Sequence, residues 1–334
     1  SLANRLTGEI NYYDKKTSDA LIWVKIPAVA GDETGQVLTN AASIQNKGIE
    51  LSLNWNDRLS QAVSYHIGGN ITLNKNKVVG LNGGQPIYDG GVSQSNTTKT
   101  DNGQPVGSFY VLKMVGVFQS DAEVAGYKNP DGTLIQPSAH AGDLKYQKAP
   151  LPAGKNPTGP IDPINDLQFV GSYQPKAYYG INLGLNYKNF DLSIDGYGNA
   201  GNQVYNGKKA FRRSDGGVDN VESYQAYARW TVSNHSQSEP AANKGLLPNS
   251  TYFLESGSFI RINNLTIGYT LPANLLKRAK ISSLRVFVTS QNLYTYKKFS
   301  GFTPELPGTP TASGIELNAY PTTKTYALGL NVGF

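Results

Sequence analysis

The chain has 334 residues, a formal net charge of +6 and no cysteine, which excludes disulfides, thiol nucleophiles and cysteine-based metal sites. Hydrophobic residues make up 39% of it, and the longest apolar stretch, LIWVKIPAVA (21–30), is broken by Lys25 and Pro27. No run therefore reaches the ~18 apolar residues of a membrane helix, whereas a membrane β-barrel, whose strands show only alternation, stays open; no basic run offers a nucleic-acid footprint.

The start, SLANRLTGEINYY, carries neither an initiator Met nor an apolar signal core and already alternates, so it reads as a fragment or processed piece of a longer product. Leu6, Gly8, Ile10 and Tyr12 share one face there, with Arg5, Thr7, Glu9 and Asn11 on the other. Such period-2 alternation predicts a strand with one apolar and one polar face. The pattern returns in KGIELSLNW (Ile49, Leu51, Leu53 and Trp55 against Glu50, Ser52 and Asn54) and in AVSYHIGGNITLNKN (Val63, Tyr65, Ile67, Ile71 and Leu73). AYYGINLGLNY (177–187), FDLSID (190–195), NNLTIGYTL (263–271), LRVFVTSQN (284–292) and the closing TYALGLNVGF bring the set to about eight.

The connections carry the next inference. NDRLSQ, Lys188-Asn189 and PANLLKRAKIS are short, the last a helical turn with Pro272 near its first position. The alternate links are long, at about 15–43, 78–175, 205–256 and 297–321. Short and long links segregated to opposite ends are the mark of a transmembrane antiparallel barrel with short periplasmic turns and long extracellular loops. GSFYVLKMVGVFQS (107–120) then belongs to external structure inside the second long loop. Apolar faces are expected to touch lipid and polar faces to line a lumen, and the last strand to pair onward, because an open edge does not survive in hydrocarbon.

SGSFIRINNLTIGYTLP and ISSLRVFVTSQNLYTYKKFSGFTPE resemble the C-terminal signature of SusC-like (SusC/RagA) TonB-dependent transporters of Bacteroidetes. NKGIELSLNW (46–55), GQPVGSFYVLKMVGVFQS (103–120), KNFDLSIDGYGNAGNQVYN (188–206) and YPTTKTYALGLNVGF resemble further blocks of that family. The resemblance implies an all-β fold in which these strands form the C-terminal third or so of a 22-stranded outer-membrane barrel. It implies a plug and a TonB-binding segment in an N-terminal portion not contained in this sequence, and a SusD-like surface lipoprotein as partner. The implied function is TonB-dependent import of an oligosaccharide or a peptide. Tyr326, Leu328, Leu330, Val332 and Phe334 resemble the terminal signal read by the barrel-assembly machinery. The chain departs from the family after GDLKY (142–146), where an acidic metal-binding stretch is reduced to Asp162 and Asp166; a Ca²⁺ site wants more oxygen ligands than these two supply, and no metal is carried over.

Other motifs have plainer readings. GYGNAG (196–201) matches a dinucleotide fingerprint in letters, but no helix follows it and no βαβ unit surrounds it. His66, His140 and His235 lie far apart, without ligand spacing, and there is no G-x-S-x-G elbow; neither a cofactor nor an enzymatic activity is expected. In VESYQAYARW, Tyr224, Tyr227 and Trp230 fall at i, i+3, i+6, which suggests a short external helix whose aromatic stripe either packs into loop structure or meets a partner or substrate. Arg5, Glu9, Glu50, Asp191, Asp195 and Arg285 are expected on the lumen wall, and Tyr12, Trp55, Tyr187 and Phe334 in interfacial girdles. The alternatives are a self-contained eight-stranded structural or passive barrel, and an outer-membrane enzyme or a soluble glycan-binding β protein.

Overall fold

A computed structural model describes residues 5–26, 29, 35–92, 95–151, 157–214, 220, 222–242, 247–277 and 280–334. The chain opens with three long strands, β1 (Leu6–Lys25), β2 (Gln36–Ser60) and β3 (Val63–Leu81). Six short strands follow: β4 (Ile87–Val92), β5 (Ser95–Thr100), β6 (Ser108–Val111), β7 (Lys113–Val117), β8 (Leu144–Gln147) and β9 (Gln168–Gly171). Next come β10 (Ala177–Tyr187), β11 (Phe190–Ala200) and β12 (Gln203–Asn206), then β13 (Leu254–Ser256), β14 (Phe259–Thr270), β15 (Ser283–Lys297), β16 (Ile315–Glu316) and β17 (Thr325–Gly333). Four short helices intervene: α1 (Asp121–Gly126), α2 (Gly207–Ser214), α3 (Ser223–Ala228) and α4 (Ala273–Leu276).

The alternating segments assemble one eight-stranded sheet in the order β1-β2-β3-β10-β11-β14-β15-β17, every neighbour antiparallel. Its register keeps each face chemically uniform. One cross-strand row runs Tyr65–Leu185–Leu192–Ile267–Val288–Leu328. A row of the opposite face runs Thr7–Asn54–Gly68–Asn182–Asp195–Asn264–Gln291–Thr325 across all eight strands. A slip of one residue at any pair would bring polar side chains into the apolar rows, so the pattern itself fixes the register. The apolar face is open: Ile10 is 73% and Leu328 74% exposed. Among the described residues β1 pairs only with β2 and β17 only with β15, so the sheet is open at both sides.

Turns at one end of the sheet are short. Only residues 61–62 separate β2 from β3, and 188–189 separate β10 from β11, the latter with Lys188 in the left-handed region at φ 52°. In the β14–β15 link, Pro272 is the N-cap of α4 rather than its first residue; an extended φ, ψ and no N–H to satisfy suit it to that place. Residues 278–279 of this link lie outside the described residues.

The expected long loop at 15–43 is for most of its length a continuation of the β1–β2 ladder, which runs to Lys25 opposite Gln36. Backbone pairing needs no apolar face. The charged run Asp14–Asp19 and a register shift near Asp19 (φ 52°) erase the alternation there without ending the ladder. The other long connections fold together into a cap. It contains a four-stranded sheet (β4-β5-β6-β9), a two-stranded one (β7-β8) and a three-stranded one (β13-β12-β16). Segment 107–120 lies in the first two of these and not in the large sheet.

The buried core of the chain is in this cap. Phe109, Val111, Leu112, Tyr205, Tyr252 and Phe253 pack into one cluster, with Tyr205 between Phe109 and Phe253 at ring separations of 6.3 and 5.7 Å. A second cluster joins Ile22, Ala42 and Val78 of the tall hairpins to Ile87 and Val106, seating the cap against them. Phe109→Ala empties a fully buried ring site and should destabilise the cap by ~3–5 kcal/mol. Hydrogen exchange should then quicken in β5, β6 and β9, while β14 and β15 keep wild-type protection.

Candidate functional site

The polar face of the sheet carries the expected wall residues, and the structure distributes them rather than converging them. Arg285 on β15 reaches across β14 to Asp191 on β11, with Nε donating to Oδ1 at 2.9 Å and Nη2 to the second oxygen. The ion pair lies over Gly268, where an added Cβ would stand 2.5 Å from both Arg285 and Asp191. Glycine is thus required at that position for the two side chains to meet across an intervening strand. The guanidinium also sits 4.9 Å above the Phe287 ring, which in turn covers Gly329. Arg5 pairs with Asp57 at 3.2 Å, and Glu9 accepts from Asn11 at 2.8 Å. Glu50 stands opposite Asn11 and Thr72, and Asp195 opposite Asn182 and Asn264. These groups form two ion pairs and separate carboxylates among amides, and do not converge as an acid–base constellation would.

The aromatic triplet of the cap is divided. Helix α3 ends at Ala228, where Arg229 turns extended (φ −59°, ψ 151°), so Trp230 lies off the helix rather than on its stripe. Trp230 stacks on His235 at 5.6 Å, donates Nε1–H to Gln119 at 3.3 Å and lies against Gly142. Tyr224 is half-exposed beside Lys209, whose Nζ is 5.6 Å from its ring; partial burial, helped by the Glu239 carboxylate, pushes its phenol pKa up. Tyr227, 85% exposed, is the member that faces outward.

The sequence reading missed the side chains that hold the cap to the sheet. Arg261 on β14, only 4% exposed, donates Nε–H to Thr295 at 2.8 Å and Nη1–H to Tyr197 at 3.0 Å, and ion-pairs with Glu305. Tyr197 donates to the other oxygen of Glu305 at 2.8 Å. One buried guanidinium thus joins β11, β14 and β15 to the connection that follows β15. Nearby, Glu255 accepts from the amide and hydroxyl of Ser300 (2.7 and 2.8 Å) and from Asn206 (2.8 Å), while Lys297 Nζ donates to the carbonyls of Phe299 and Gly301. These residues fall in the FIRINN and YKKFSGFTPE stretches; a lone arginine on an otherwise isoleucine–asparagine strand was the available signal. Inside the cap, Lys209 and Tyr252 both converge on Glu239.

A cleft of about 970 Å³ opens where β3 continues upward after β10 has ended. Lys75, Lys77 and Lys176 line it together with hydroxyls and amides, among them Ser172, Gln174 and Ser256. GYGNAG belongs largely to β11, and Tyr179 crosses Gly198 to reach the Phe259 carbonyl at 2.8 Å. Asp166 is occupied by Lys148 at 2.7 Å and by the amides of Ala149 and Asp162. His66 bonds to Asn182 in the sheet, His235 stacks in the cap, and His140 lies beside Asp121.

Replacing Glu305 by Gln leaves the buried Arg261 charge without its carboxylate but keeps its Tyr197 and Thr295 bonds, so a cost of about 2 kcal/mol is expected. Limited proteolysis should then cut within 301–324 several-fold faster, with the core of the cap still protected.

No protein-family model matches the chain. It is 30% identical over 343 residues to TonB-dependent receptor P26 of Formosa agariphila, covering 99% of this chain and 33% of that protein. To TonB-dependent receptor SusC of Bacteroides thetaiotaomicron it is 29% identical over 350 residues, covering all of this chain and 30% of that one. The chain thus spans about a third of the length of these relatives. Among solved structures, the RagAB peptide transporter matches with TM-score 0.76 at 24% identity, covering 99% of this chain and 34% of its own. The closed-closed state of the RagAB peptide importer gives 0.77 at 23%, with the same coverage. Along its whole length, this chain is similar to about a third of the length of these TonB-dependent receptors, SusC among them.

Proposed function

We propose that this chain forms the C-terminal part of the wall, and much of the external cap, of a SusC-like importer in the bacterial outer membrane. The observation that carries the reading is the in-register apolar face, continuous across the sheet and open to its surroundings. A face of that kind needs a non-aqueous cover, since each fully buried Leu, Ile or Phe gains ~1.5–3 kcal/mol over an exposed one. The 11 residues of β10 span about 35 Å along the strand, or about 27 Å in height at ~40° tilt, close to the apolar band of a membrane barrel. Trp55, Tyr65, Tyr187, Phe190 and Tyr269 lie toward the short-turn end of that face, and Tyr12, Tyr179, Tyr294 and Tyr296 toward the other, as two interfacial girdles would.

Both outer strands are available to pair with the remaining strands of a 22-stranded barrel, which disfavours a self-contained eight-stranded one. The plug and TonB-binding segment belong to the rest of the protein. A SusD-like lipoprotein seals the mouth and delivers cargo, an oligosaccharide or a peptide, which passes along the polar wall without covalent change. Tyr224, Tyr227 and Trp230 are carried forward as cap residues on the partner or cargo side, with Tyr227 the contacting member. The C-terminal Tyr326–Phe334 alternation serves as the assembly signal.

The decisive experiment captures the full-length protein from outer membranes in mild detergent and identifies what accompanies it, alongside uptake of labelled oligosaccharides and peptides by cells with and without the gene. A co-purifying surface lipoprotein and TonB-dependent loss of uptake support the importer. Unchanged uptake of both cargo classes, with no lipoprotein, sinks it. On the apolar face, Leu328→Arg should cost ~2–4 kcal/mol in the bilayer and sharply lower the heat-modifiable, folded fraction in membranes, whereas Ala327→Ser on the polar face should leave it unchanged.

A further inference from the structure

Above the topmost apolar row of the tall strands, Tyr12–Ile49–Leu73–Ala177, the outward face changes abruptly from apolar to basic. The next two rows read Asp14–Lys47–Lys75 and Lys16–Gln45–Lys77. Asp14 is taken by Lys47 at 2.9 Å and Gln45 at 2.7 Å. Among the described residues no carboxylate pairs with Lys16, Lys75, Lys77 or Lys176, all of which are exposed. Lys75 stands directly opposite Lys47, whose charge Asp14 already meets, and has no carboxylate of its own among the described residues. Beside them opens the cleft that Lys75, Lys77 and Lys176 line, whose one carboxylate, Glu255, is already engaged by Ser300 and Asn206.

Height identifies the ligand. Two residues advance a strand by about 7 Å, and the headgroup layer adds about 5–7 Å to each side of the hydrocarbon. At ~40° tilt the first basic row stands about 5 Å and the second about 10 Å above the topmost apolar row, so the first lies at headgroup level on the face that meets lipid and the second just above it. We propose that this belt binds the phosphate of an anionic lipid headgroup in the outer leaflet, with Lys16, Lys75 and Lys77 as the ligating cations and the hydroxyls and amides of the adjoining cleft as further donors. The inference rests on the membrane placement of the sheet given above. Basic groups at a membrane surface attract anionic lipid additively, and a cleft beside them converts that attraction into retention of an individual molecule.

The test uses the full-length protein, extracted in mild detergent and delipidated. Native mass spectrometry then measures retention of short-chain phosphatidate and short-chain phosphatidylcholine, with inorganic phosphate and a sulfated tetrasaccharide as soluble competitors. The expected result is retention of phosphatidate about tenfold tighter than phosphatidylcholine, undiminished by equimolar inorganic phosphate. The combined Lys16→Gln, Lys75→Gln, Lys77→Gln variant should reduce that preference to within about twofold, while arginine at the same positions keeps it. Equal retention of the two lipids, or a preference that survives the glutamine variant, overturns the proposal. So does displacement by the soluble anions, which would give the belt to free phosphate or to polyanionic cargo. A spin label at Ile71 in nanodiscs separates the two levels of inference. Oxygen access there upholds the membrane placement whatever the headgroup result, and access to an aqueous nickel reagent removes both readings together.

Discussion

Everything in this fold follows from one face of one sheet being apolar and uncovered. A soluble β protein turns such a face onto a second layer and lets the polar face meet water. Among the described residues no second layer covers the apolar side, and the buried aromatic cluster lies instead in connections that leave the sheet at one end. The hydrophobic effect still acts in both places. In the strands it demands an external cover, and in the connections it supplies a conventional core. The same physics therefore acts on both parts of the structure, on apolar groups buried in the one and left open in the other.

The polar side answers a different requirement. A wide wall cannot bury its charged groups, so it pairs them or leaves them hydrated. Gly268 shows how closely sequence and register cooperate, since the absence of one Cβ lets Asp191 and Arg285 meet over an intervening strand. Arg261 does the corresponding work at the cap. Its guanidinium is held by Thr295, Tyr197, Glu305 and Thr322, and the last two fix the connection that follows β15 against the strands.

The strands were legible because a strand with two solvents writes its period directly into the chain. The eight alternating segments are the eight strands of the large sheet, and the place of residues 107–120 outside it followed from the order of short and long links. Three things were not legible, each for a physical reason. The ladder beyond Tyr13 persists through a charged run that shows no apolar alternation, held by its backbone pairing, the Asp14–Lys47 pair and, further up, Ile22 and Ala42. The cap core joins Phe109, Tyr205 and Phe253, whose meeting depends on long-range packing rather than local pattern. The stripe Tyr224–Tyr227–Trp230 assumed a continuing helix, but the backbone at Arg229 turns away, and stacking on His235 claims the tryptophan. Residues such as Asp191 and Arg285 were assigned to the polar face by period, whereas their pairing required the register.

The composition of the cap has a consequence for the order in which the molecule comes together. Its parts arrive from three separate connections: Thr98 donates to the carbonyl of Thr311, Tyr205 pairs with Ile315, and Asn249 accepts from Tyr205 while donating to Val92. These partners are brought within reach only after strands as far apart in sequence as β3 and β15 have found their places. Closure of such long loops is entropically slow and comes late in folding. A sheet assembled one residue out of step would present these connections with partners that no longer meet, so the cap's contacts and the register of the strands depend on one another.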